Sequence, residues 1–147
     1  MKNLFLLFLV ISYSLSSFAQ FKGWDKVVGA TLYAPITKNI SWDSKSWGQR
    51  VDLTKKNVKV SFGYMQNKAG NVQVPILVGA EKKLGKVFKV GVNSGMTFFN
   101  RGKGQFTYVP FIKYEVNKKW CIEQSVLRLV KDGKHASQAG LAVMYHL

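Results

Sequence analysis

Seven charged residues stand at alternate positions of strand-like runs, with apolar residues between them: Arg50, Asp52, Lys59, Glu81, Lys89, Lys113 and Glu115. Gathered inside a narrow barrel, such cations and carboxylates would neutralise one another as ion pairs, because unpaired charge in a confined space is costly. The same residues could line a narrow pore, although eight strands leave little room for water. Other reactive groups are sparse. The single cysteine, Cys121, excludes an intrachain disulfide, and nothing beside it marks an activated thiol. His135 and His146, with that cysteine, are too few and too badly spaced for a structural zinc site. No metal and no cofactor are expected.

The elements that must position these charges are strands. From Val72 to Val116 the chain makes three runs of period-two alternation, the signature of strands with one apolar and one polar face. Val72, Val74, Ile76 and Val78 oppose Gln73, Pro75, Leu77 and Gly79. Phe88, Val90, Val92, Met96 and Phe98 oppose Lys89, Gly91, Asn93, Gly95 and Thr97. Phe106, Tyr108, Ile112 and Tyr114 oppose Thr107, Lys113 and Glu115. The intervening EKKLGK and NRGKGQ are short and rich in Gly and Lys, which predicts an antiparallel meander.

Three further strands are predicted upstream, over 24–34, 47–53 and 57–66, with Pro35 closing the first. The longest break runs from Ile36 to Ser46. Downstream, Asn117-Lys118 predicts a tight hairpin into a strand over 119–130, and KDGK turns the chain into a last strand that reaches Leu147. The alternation of the seventh strand slips near Ser125, since Leu127 and Leu129 are apolar where polar residues are due; a bulge there would restore one face. The total is eight strands, the smallest familiar closed barrel.

Residues 1–19 read as a cleaved signal peptide, with Lys2, an apolar run from Leu4 to Ile11, and Ser17-Phe18-Ala19 before the cut at Gln20. Residues 20–147 are then one exported domain. The formal net charge of +15 could serve nucleic acid, but the lysines are spread over many turns and lack interleaved aromatics, so no nucleic-acid partner is expected. An exported barrel meets phosphorylated lipid head groups instead.

Three features place lipid outside. The polar face mixes glycines with charges of both signs, which suits a filled interior. Aromatics fall into two sets near strand ends: Trp24, Phe88, Tyr114, Trp120 and Tyr145 at one rim, and Trp47, Phe62, Tyr64, Phe98, Phe106 and Tyr108 near the other. Two girdles suit two membrane interfaces. The last strand is apolar at every second residue through Tyr145 to Leu147. With that strand and the run VQVPILVGAEKKLGKVFKVGVNSGMTFF, the chain resembles the small outer-membrane β-barrel proteins of the OmpA-like and porin-like kind. The resemblance implies an all-β fold, a single eight-stranded antiparallel up-and-down transmembrane barrel, and a final strand that serves the outer-membrane insertion machinery. It implies a class rather than an activity.

A second resemblance bears on catalysis. His135-Ala136-Ser137-Gln138-Ala139-Gly140 resembles the His-x-Ser-Asn-Ala-Gly stretch of the outer-membrane lipid A deacylases, which would make Ser137 a nucleophile and His135 its base. Gln138 stands where that family has Asn. No carboxylate follows His135 to orient it, leaving Glu123 to serve through another geometry.

The sequence therefore points to a non-catalytic, monomeric outer-membrane barrel of a Gram-negative-type cell. Its basic loops would meet lipopolysaccharide phosphates. The contact surface is expected at Lys38, Trp42, Lys45 and Trp47, on the longest loop. The alternatives are a lipid A acyl hydrolase, a narrow pore, and a soluble secreted barrel binding an apolar ligand.

Overall fold

The computed structural model describes residues 21–36, 45–100, 103–131 and 133–147. The expected signal peptide, Lys38 and Trp42 lie outside them. Eight strands follow in order: β1 (Asp25–Pro35), β2 (Ser46–Lys55), β3 (Val58–Asn67), β4 (Val72–Leu84), β5 (Phe88–Phe99), β6 (Gln105–Glu115), β7 (Trp120–Lys131) and β8 (Lys134–His146). Each pairs with its sequence neighbour, and β1 pairs with β8 from Val27↔His146 to Pro35↔Gln138, closing the barrel. Closure leaves no free sheet edge, which a hydrocarbon environment requires. The backbone amide of Leu147 continues the seam, donating to the Lys26 carbonyl at 2.9 Å.

The β2–β3, β4–β5 and β6–β7 connections lie at the end where β1 begins and β8 finishes, here the turn end. The β1–β2, β3–β4, β5–β6 and β7–β8 connections lie at the other, the loop end, and include the longest segment, between Pro35 and Ser46.

The expected bulge in β7 is absent. Its register with β8 runs unbroken from Trp120↔Tyr145 to Lys131↔Lys134, and its register with β6 keeps one phase throughout. Leu127 and Leu129 point inward and are buried. The phase only looked broken because the interior changes character along the barrel. Its loop half holds an apolar plug of Tyr33, Met65, Leu77, Val109, Leu127 and Leu129, with buried Gln73, Thr97, Thr107 and Gln138 beside it. Its turn half is charged.

Two prolines interrupt the ladders. Pairing lapses where Pro75 of β4 faces β3 and where Pro110 of β6 faces β7, since proline has no N–H to donate. Glycines make room for inward rings. A Cβ at Gly91 would sit 2.5 Å from the Phe111 ring, and one at Gly140 would sit 2.3 Å from the Tyr33 ring.

Candidate functional site

The charged turn half is built from alternate inward positions of six strands. Arg50 and Asp52 come from β2 and Lys59 from β3. Glu81, Lys89, Lys113 and Glu123 come from β4, β5, β6 and β7, and Glu115 closes β6. They form two groups, each with two cations and two carboxylates.

In the first group the Arg50 guanidinium spans both acids. Its Nε lies 2.9 Å from Asp52 Oδ1 and its Nη1 lies 2.8 Å from Glu123 Oε1. Lys59 Nζ bridges the remaining oxygens, at 2.9 Å from Asp52 Oδ2 and 3.2 Å from Glu123 Oε2. The Lys59 side chain is 0% exposed, and its ammonium lies 4.0 Å from the centroid of the Phe111 ring, a cation–π contact in a water-poor site.

The second group is Glu81 between Lys113 at 3.0 Å and Lys89 at 3.6 Å, with Lys89 also 2.6 Å from Glu115. Lys89 is nearer the turn-end mouth and 14% exposed. Each group is neutral, the arrangement that makes buried charge tolerable.

All seven charges named from sequence thus face inward. Glu123 completes the network and was not among them. Its signal was present, since before the apparent slip at Ser125 the alternation sets Trp120 and Ile122 outward and Cys121 and Glu123 inward. The plug was missed as well, because a uniformly polar interior was expected. Between plug and charges lies a void of about 10 Å³ beside Tyr33, Arg50, Asn93 and Leu127, room for about one water.

Outside, the polarity is reversed. Leu32, Ile76, Val78, Val92, Ile112 and Val143 are exposed on the outer wall. At the turn end, Phe88 packs on Tyr114 with centroids 5.3 Å apart, and Trp120 on Tyr145 at 4.9 Å. At the loop end, Trp47, Tyr64, Phe98 and Phe106 are exposed on the same wall. Phe62 faces Val51 and Ile76 in mid-strand, within the apolar band rather than at its rim. Lys45 is exposed beside β2. Trp47 points outward from that strand, so it belongs to the girdle as much as to the loop.

His135 and Ser137 do share the outer face of β8, with Ala136 and Gln138 buried behind them. Glu123 is on the opposite side of the wall, held by Arg50 and Lys59. Asp25 and Glu115 belong to the turn end. No described carboxylate therefore stands beside His135. Cys121 is buried with Val27, Ala142 and Met144, and no cluster of metal-ligating side chains occurs among the described residues.

The closed barrel has counterparts among solved structures. One is a de novo designed transmembrane β-barrel, with a TM-score of 0.71 at 10% identity over 84% of this chain and 95% of that one. Another is the N-terminal β-barrel domain of Pseudomonas aeruginosa OprF, at 0.70 and 12%, over 84% and 97%. Outer membrane protein H (OprH) of P. aeruginosa matches at 0.60 and 16%, over 84% and 99%. The fold is that of the small outer-membrane β-barrels. No protein-family model and no curated protein matches the sequence.

Proposed function

We propose that this chain is a small integral outer-membrane β-barrel with a structural or surface-interaction role and no catalytic one. The observation that carries this reading is the inverted polarity: neutralised ion pairs inside and an apolar, aromatic-bounded wall outside. Leaving Val78, Val92 and Val143 in water would cost the hydrophobic stabilisation that lipid supplies, and a soluble barrel would place Lys59 and Lys113 on its surface. The fold of the structural neighbours supports the same location.

The seven carboxylates of the sequence bear on the partner. Four of them are matched by the four interior cations, so among the described residues the surplus of positive charge lies outside the barrel core. Basic rims of this kind suit phosphorylated head groups, lipopolysaccharide phosphates at the loop end among them. The contact surface proposed there is the β1–β2 loop, with Lys38, Trp42, Lys45 and Trp47. Cell fractionation tests the reading. The protein should partition with the outer membrane and need detergent for release; recovery in the soluble periplasm would refute it.

A further inference from the structure

The outer wall is not uniform. A groove of about 690 Å³ crosses it where β6, β7, β8 and β1 meet. The register explains the groove. Across these strands one outward row reads Pro110, Val126, Ala139 and Ala34, since Val126 pairs with Ala139 and Ala139 with Ala34, while Pro110 falls opposite Val126. Two alanines and a proline leave the wall low. The next row toward the turn end is Ile112, Gln124, Leu141 and Leu32, whose larger side chains form the floor's far edge.

Polar groups break this apolar relief at both edges. Arg128 occupies the row immediately on the loop-end side, paired with Tyr108 on one strand and Ser137 on the other. Its Nη1 donates to the Tyr108 hydroxyl at 3.2 Å, and the guanidinium lies over that ring, 6.0 Å from the centroid. Gln124 lies on the opposite edge, exposed and facing the apolar band, where an amide without a partner is unfavourable.

We propose that this groove is a lateral binding site for one phosphorylated acyl lipid, with its phosphate on Arg128 and one acyl chain lying along the low row. Guanidinium is suited to phosphate by its fixed fork of donors, and the girdle places Arg128 at head-group depth, one row from Phe106 and Val130. The chain would cover the alanines and the lapse in pairing at Pro110. The Gln124 amide would meet a polar group on that chain, such as an ester, amide or hydroxyl. The inference rests on the membrane reading above and assigns its lipid a place on the wall.

The test uses the mature barrel in nanodiscs of phosphatidylcholine containing a minor share of either diphosphorylated lipid A or phosphatidylglycerol. Native mass spectrometry after release then counts the lipids retained. One phosphorylated lipid per barrel is expected. Ala139→Phe, which raises the floor, should abolish its retention. Arg128→Gln should reduce retention of the phosphorylated lipid while leaving phosphatidylcholine unchanged. Val78→Phe, on the far wall, should match the parent. Retention of lipid A alone would identify the source as lipid A, and retention of both would extend the site to any phosphorylated acyl lipid. Equal retention of phosphatidylcholine, no retention, or an Ala139→Phe protein that behaves as the parent would overturn the site while leaving the membrane reading intact. Failure to enter nanodiscs of any composition would refute both.

Discussion

Lys59→Met removes one charge from the most enclosed part of the interior while keeping the length of the side chain. Lys59 is 0% exposed and bridges Asp52 and Glu123. Without it, Arg50 alone faces both carboxylates, and one negative charge is left uncompensated. Breaking a buried pair in this way costs about 3–5 kcal/mol, and the contact of the ammonium with the Phe111 ring is lost as well. The decisive control is Lys59→Met with Glu123→Gln. That pair restores neutrality, and replacing both members of a buried pair is often close to neutral. Urea unfolding in lipid vesicles, followed by tryptophan fluorescence and by heat-modifiable gel migration, measures both. A large loss in the single variant and recovery of most of it in the double variant are expected. A single variant as stable as its parent, or a double variant no better than the single one, would refute the reasoning from charge balance.

Lys89→Met should be destabilising by a smaller amount in the same assay, because Lys89 is 14% exposed and the carboxylates it leaves are closer to water. Val143→Arg puts a charge on the lipid-facing wall and should cost about 2–4 kcal/mol near the bilayer middle; an unchanged midpoint would contradict an apolar surroundings for β8. Gly140→Val forces a side chain into the Tyr33 ring and should cost about 1–3 kcal/mol by overpacking, read as a lowered urea midpoint. Ser137→Ala should leave the acyl pattern of lipid A in expressing cells unchanged, as measured by mass spectrometry; an acyl chain whose removal depends on Ser137 would reinstate the hydrolase.

Period-two alternation is a local signal, and it made the strands legible. Val72 to Val116 alone showed three strands and the short turns between them. The inward face of Lys59, Lys89 and Lys113 was legible for the same reason. What failed was whatever depends on partners across the barrel. Leu127 and Leu129 looked out of phase because local pattern cannot tell an apolar interior position from an outward one. Their identity is set by Tyr33, Met65 and Val109, which lie on other strands and meet only when the barrel closes. From sequence, Glu123 could serve His135 as an acid only through another geometry. Its true partners, Arg50 and Lys59, are more than sixty residues away along the chain, and the pleat turns it to the opposite side of the wall.

The placement of charge follows the same logic and limits where a partner can act. Net charge is readable from composition, but its partition is not. Four carboxylates and four cations are consumed inside, where they hold β2, β3, β4, β5, β6 and β7 together across the turn half. Tyr33, Met65, Leu77, Val109, Leu127 and Leu129 fill the loop half together with buried Gln73, Thr97, Thr107 and Gln138, and the void between leaves room for about one water. A lumen so filled leaves a ligand little room. The groups accessible to one are on the outside: the lysines of the rims, the girdles, and the low row beneath Arg128. A barrel of this size, with its lumen given over to its own stability, must do its work through its wall and its rims.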